Sequence, residues 1–178
     1  MKFVLVLAAV VILSVPAISM QAEQSAGGAS PSDGAEMKAL RAINLQDFDG
    51  NKVPPDELKG SIVLLDFWAT WCGPCIAEVP MLNRLQEKYA DRGVKVVGVT
   101  MASGNSKEIK PVVGRANMKY RVLIGDDDQA YDFNIIGFPT TYLITKDMKV
   151  FRKYIGSSSK KAAMIEADIE KLLGEKTQ

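Results

Sequence analysis

The chain opens on an apolar run with a single charge in front of it. Lys2 precedes Phe3–Leu13, which is unbroken in its hydrophobicity, and Ser14, Val15 and Pro16 end the run. An export signal has this layout, with Ala17 or Ala22 as the small residue at the cleavage point, so residues 1–22 are read as a signal peptide. Carried on to Met20, the segment is just long enough to cross a bilayer, although Pro16 and the serines weaken it as a span. An uncleaved N-terminal membrane anchor is the alternative reading. Both place the folded part in the periplasm or otherwise outside the cytoplasm. No cysteine lies near residue 20, which excludes a lipidated N-terminus. Residues 23–36 are rich in Gly, Ala and Ser with no apolar period, so they read as a flexible linker. A single domain is expected over residues 37–178.

Within that domain the period of the apolar positions alternates between two and 3.6. Leu40–Leu45 alternates apolar and polar residues, Asp47–Asn51 supplies turn residues, and Lys52–Val53 begins a return strand, predicting an N-terminal β-hairpin extension. Pro54–Lys59 makes a short turn or helix. Ser61–Trp68 is nearly all apolar and β-prone, as a central strand buried on both faces would be. After Cys72, Ile76, Val79, Leu82, Leu85 and Tyr89 recur at helical spacing, and Gly93 closes that segment before a second buried strand, Val94–Thr100. Ser106–Asn117 reads as a helix disturbed by Pro111 and Gly114, Arg121–Ile124 as a short strand and Asp128–Phe133 as a short helix. Thr140–Thr145 and Lys149–Ile155 bracket a turn at Lys146–Met148, and Lys160–Leu173 forms a last amphipathic helix stopped by Gly174. The fold class is α/β: a central mixed β-sheet flanked by helices.

Composition narrows the functions this frame could carry. An apolar fraction of 47% and a charged fraction of 24% belong to a globular protein. The formal net charge is only +1, from 22 basic and 21 acidic residues without a basic cluster, which sets nucleic acid aside as a partner. The chain has no histidine, so a Ser-His-Asp hydrolase and a histidine-ligated zinc enzyme are excluded.

The candidate chemistry lies in Trp71-Cys72-Gly73-Pro74-Cys75, which holds the only two cysteines of the chain. Half a zinc site is one reading, and it fails because a tetrahedral structural zinc needs two further Cys or His ligands. A purely structural disulfide is another, yet so short a loop removes little entropy from the unfolded chain. The third is a redox pair at a helix N-terminus, where exposed backbone N–H groups and the helix dipole favour a thiolate at Cys72. Pro74 suits the first helical turn, where its missing N–H leaves nothing unpaired. A strand, a sharp turn, CxxC and then a helix is the context that favours this third reading. Asp66 stands out beside it as a lone acid in an apolar strand, expensive to bury without a role. No metal is expected, and no cofactor beyond the redox-active disulfide itself.

The stretch VLLDFWATWCGPC resembles the thioredoxin superfamily, and the wider frame from Leu40 to Leu173 resembles its exported TlpA/ResA-like branch. Gly137-Phe138-Pro139-Thr140 is the second marker of the resemblance. In such proteins this proline is cis and faces the CxxC pair; read alone, Pro139 could be an ordinary proline at the start of a strand. The resemblance implies the thioredoxin fold and an extracytoplasmic thiol–disulfide oxidoreductase. Cys72 would be an exposed attacking thiolate and Cys75 the more buried resolving thiol. Asp66 matches the buried aspartate of thioredoxin, and Glu78 a glutamate near the active site of ResA-like reductases, so these two are the candidates for proton handling. Taken by itself, Glu78 also reads as a surface helix glutamate. Substrate docking falls to Trp71, Gly73, Pro74, Phe138 and Pro139, with the Phe138 backbone offering its N–H and C=O to an extended segment as in strand addition. Trp68 reads as core. Backbone pairing discriminates little, which points to protein or peptide disulfides as substrates. The Gly-Pro dipeptide between the cysteines is that of reducing members, implying a disulfide reductase recharged by a membrane electron donor, for example in cytochrome c maturation or redox homeostasis. A disulfide oxidase or isomerase is the main alternative. A peroxiredoxin-like peroxidase lacks its usual sequence before Cys72, and a non-catalytic peptide-binding module is the remaining reading.

Overall fold

The computed structural model describes residues 31–174. Seven strands form one sheet in the order β2-β1-β5-β4-β3-β6-β7, comprising β1 (Leu45–Gln46), β2 (Lys52–Val53), β3 (Ile62–Trp68), β4 (Val94–Thr100), β5 (Arg121–Gly125), β6 (Thr140–Ile144) and β7 (Val150–Ile155). The β3–β4 and β4–β5 pairs are parallel and the others antiparallel, so the sheet is mixed, as expected. Every residue of the central strand β3 is buried. Side chains alternate across a strand. Leu64 and Trp68 therefore join one core with α2 (Gly73–Tyr89), α3 (Ser106–Arg115) and α5 (Lys161–Gly174), whereas Val63, Leu65 and Phe67 join the other with α1 (Pro31–Ala42) and Phe133 beside α4 (Gln129–Asp132). Asp66 shares the face of Leu64 and Trp68, the face under α2.

Two readings of the N-terminal part are corrected. Residues 31–36, expected to be linker, are the first half of α1, and Leu40, expected to open a strand, lies in its last turn. A twelve-residue segment of such composition would be marginal as an isolated helix, so tertiary packing has to hold it. Ala39, Leu40 and Ile43 are buried in the second core. Glu36 is buried as well, 2.9 Å from the Tyr142 hydroxyl and 3.0 Å from Lys153 Nζ. The hairpin survives in shorter form, with Leu45 opposite Val53 and Gln46 opposite Lys52. The signal or anchor segment at 1–22 and residues 23–30 lie outside the described residues. Among the described residues no helix is long and apolar enough to cross a membrane.

Glu36 supplies a test of the α1 packing. Removing its carboxylate orphans one contact of Lys153, whose ammonium keeps the carbonyls of Phe133 and Asn134 at 3.2 and 3.0 Å. Glu36→Ala is expected to lower the unfolding free energy by about 1–3 kcal/mol in urea titrations. Disulfide exchange should be unchanged, because α1 packs on the face of the sheet away from the cysteines.

The helix disturbed in sequence by Pro111 and Gly114 runs intact from Ser106 to Arg115. Its start is reinforced by a reciprocal cap: Lys107 N–H donates to Asn105 Oδ1 (3.0 Å) and Asn105 N–H to Glu108 Oε2 (2.9 Å).

Candidate active site

Strand β3 ends at Trp68, and the chain turns through Ala69-Thr70-Trp71 to start α2 at Gly73. Cys72 is the cap of that helix: the Cys75 N–H donates to Cys72 Sγ at 3.2 Å. The two sulfurs are joined as a disulfide with the Cα atoms 5.3 Å apart. Pro74 lies in the first helical turn, as its missing N–H predicts. The expected contrast in exposure is not found. Cys72 is 5% exposed and Cys75 2%: the Cys72 sulfur caps the helix and lies in the core that holds Trp68 and Ala69.

The rim is set from three segments. Trp71 is 67% exposed, yet its ring is held: Nε1 donates to the Ala102 carbonyl at 2.8 Å, and the ring meets Phe138 edge-on at 5.8 Å between centroids. Ala102 is fixed in turn by its N–H to Asp127 Oδ1 (2.5 Å), and the Thr70 N–H donates to Ser103 Oγ (2.9 Å). The Phe138–Pro139 peptide is cis, as the resemblance implies. Thr140 Oγ1 ties this loop to the Gly137 carbonyl (2.7 Å), and the Gly156 N–H to the Pro139 carbonyl (2.8 Å). Neither the N–H nor the C=O of Phe138 has a hydrogen-bond partner among the described residues. Gly73 and Pro74 are exposed beside the disulfide, and Ile136, 78% exposed, adds an apolar side chain two residues before Phe138. A cavity of about 360 Å³ bounded by Lys38, Ala39, Ala42, Tyr131 and Asp132 lies between α1 and α4, on the other face of the sheet.

Two acids, Asp66 on β3 and Glu78 on α2, are buried where the helix covers the sheet. Asp66 is buried on β3 and accepts a hydrogen bond from Oγ1 of Thr141, its cross-strand partner on β6 (2.6 Å). Loss of hydration pushes its carboxyl from 3.8 up to about 7; the Thr141 bond and the Lys161 charge oppose the rise, and the Glu78 charge adds to it. Glu78, one turn beyond Cys75 on α2, is buried and not on the surface. Its Oε2 accepts from Lys161 Nζ of α5 at 2.7 Å, an ion pair with both side chains buried. Tyr120 lies in the same field: burial first, then the charges of Asp66 and Glu78, push its hydroxyl well above the usual tyrosine range. Trp68 is core, as read. Thr141, Lys161, Ala102 and Ile136 were not legible as site residues. Thr141 adjoins the Gly-Phe-Pro-Thr element, but Lys161 follows Lys160 at a helix start, and nothing in that pair marks one lysine as buried.

Comparison with known proteins agrees with this geometry. Residues 32–173, a span that opens inside α1, match the Redoxin family. The chain is 31% identical over 129 residues to the thioredoxin-like protein YneN of Bacillus subtilis, covering 72% of this chain and 76% of that protein. It is 36% identical over 115 residues to the thiol–disulfide oxidoreductase ResA of Bacillus anthracis, covering 64% of this chain and 66% of that one. A crystal structure of a thiol:disulfide interchange protein of the thioredoxin family from Chlorobium tepidum superposes with a TM-score of 0.62 at 27% identity, over 72% of this chain and 91% of that one. The resemblance read from CGPC and the cis-proline element thus holds along most of the described chain. The chain belongs to the Redoxin family and carries the thioredoxin fold.

Proposed function

We propose that this thiol–disulfide oxidoreductase works in the reducing direction, on protein or peptide disulfides outside the cytoplasm. The observation that carries the reading is a disulfide capping a helix beside a cis-proline loop whose Phe138 backbone has no hydrogen-bond partner among the described residues. An extended substrate segment pairs with that backbone, between Trp71 and Phe138 and over Gly73, Pro74 and Pro139. In the reduced protein Cys72 acts as a thiolate, favoured by the N-terminus of α2, and attacks one substrate sulfur. The substrate disulfide breaks, a Cys72–substrate mixed disulfide forms, and the other substrate sulfur leaves as a thiolate and is protonated by water. Asp66 then takes the Cys75 proton and the Cys75 thiolate attacks Cys72 Sγ. The Cys72–Cys75 bond forms and the second substrate sulfur leaves, so two electrons pass to the substrate. Glu78 supports the proton transfer from its place on α2. The dithiol is the only redox group the cycle requires, and a membrane electron donor restores it; residues 1–22 deliver the domain across the membrane or hold it there. Haem-attachment sites of cytochrome c precursors are one class of oxidised protein such a cycle would serve.

Equilibration against glutathione or dithiothreitol buffers tests the direction. A potential of about −270 to −230 mV supports the reductase, and a value near about −120 mV would make the protein an oxidant. Peroxide consumption by the reduced chain should be negligible; a fast, stoichiometric rate would assign it instead to peroxidase chemistry.

A further inference from the structure

We propose that Lys161 is a positioning residue for the cysteine pair: its ammonium ties the CxxC helix to the cis-proline loop and supplies the counter-charge that keeps the buried Asp66 carboxylate available as the proton acceptor for Cys75. The inference rests on the reading of Asp66 as the group that takes the Cys75 proton.

The connection is continuous in the structure. Glu78 is on the helix that begins with the cysteines, one turn beyond Cys75, and binds Lys161 Nζ at 2.7 Å. The same ammonium donates to the Gly156 carbonyl at 3.1 Å, and the Gly156 N–H holds the Pro139 carbonyl at 2.8 Å. Gly156 has φ +72, a conformation that suits glycine, at the bend where β7 leaves the sheet. One lysine from α5 therefore joins the two halves of the site from below. Both Lys161 and Glu78 are buried, and a buried pair gains little over apolar residues of the same volume, whereas losing one partner strands a charge. Stability alone is thus a weak account of why an ion pair occupies this place.

The charge also reaches Asp66. Three elements and the residue before a fourth present groups to that carboxylate: Thr141 from β6 donates a hydrogen bond, Glu78 from α2 repels, Lys161 from α5 attracts, and Tyr120 before β5 shares the field. Tyr154, across from Thr141 on β7, is committed elsewhere. Its hydroxyl is 2.6 Å from Asp168, which also pairs with Arg152. Among the described residues Lys161 is the cation whose charge favours the ionised form of Asp66, against the repulsion of Glu78.

The test follows the Asp66 carboxyl directly, by ¹³C NMR titration of the oxidised full-length chain, alongside the rate at which the pre-reduced chain reduces a peptide disulfide from pH 5 to 9. In Lys161→Met the Asp66 midpoint should rise by about one pH unit, lowering the rate about tenfold on the acid limb with little change at pH 9. Lys161→Arg should lie near the wild type. If Lys161→Met folds poorly, Lys161→Gln, which removes the charge and keeps a donor for Glu78 and the Gly156 carbonyl, should raise the midpoint in the same direction. An unmoved or lowered midpoint in these variants, with only the unfolding midpoint displaced, overturns the proposal and leaves Lys161 a structural residue. Failure of the reductase reading appears separately: the wild type itself then fails to reduce the peptide, while the NMR titration still reports the coupling of Lys161 to Asp66.

Discussion

Cys75→Ser is expected to turn the catalyst into a trap. Cys72 keeps its place as the cap of α2 and still attacks a substrate disulfide, but the second thiolate that would displace the substrate is gone. The product is a stable mixed disulfide in equimolar amount, seen as an adduct in intact-mass spectra and released by dithiothreitol. Turnover should fall on the order of 10³-fold or more, as when a nucleophile is removed from a concerted set of groups. Cys72→Ser should be as inactive and should form no adduct. The pair of results separates the roles in a way that burial does not, since both sulfurs are covered in the disulfide form. An adduct on Cys75 in the Cys72→Ser chain would reverse the assignment. Peptide binding by Cys72→Ser with affinity intact, but with exchange also intact, would remove the dithiol from the function and return the non-catalytic module.

Several elements of this site could be read directly from the chain because local signals and tertiary demands coincide in them. Strand β3 is apolar apart from Asp66 and is buried on both faces; α2 begins at the cap its sequence supplies and repeats Val79, Leu82, Leu85 and Tyr89 toward the core. The cis-proline loop was legible through resemblance and not through propensity. What escaped notice depends on partners distant in sequence. Helix α1 has few apolar side chains and leans on Glu36, whose partners Tyr142 and Lys153 lie on β6 and β7. Glu78 could be surface or core until α5 was placed over it, because helical spacing alone does not say which lysine will arrive. The exposed attacking sulfur is an expectation for the free thiolate, and the structure holds the disulfide, in which that sulfur is buried. Long-range electrostatics and redox state both lie outside any window of local sequence.

Asp66→Asn is expected to make the protein more stable and a poorer catalyst. The Asp66 side chain is fully buried, and desolvation, net of the Thr141 hydrogen bond and the Lys161 charge, carries its carboxyl from 3.8 to about 7. A group whose folded-state value is raised holds its proton more tightly when folded, so its contribution is complete below the unfolded value and is lost as pH rises through the folded one. Between about pH 4 and pH 7 the native state binds more protons than the unfolded chain, and stability falls with pH. The full shift corresponds to about 4 kcal/mol at most. Asparagine keeps the shape and the acceptor for Thr141 without the charge. Urea titrations of the oxidised chain should therefore show little change at pH 4 and a gain of about 2–4 kcal/mol at pH 8. Disulfide exchange should move the other way: the inflection near pH 7 disappears, and the rate above it drops about tenfold or more for want of a base for Cys75. An unchanged rate across pH would sink the assignment of Asp66 as proton acceptor, while an unchanged stability profile would mean the carboxyl titrates near its ordinary value. A gain in stability together with a loss of exchange in one substitution would be the signature of a carboxylate that weakens the fold at the pH where it accepts a proton.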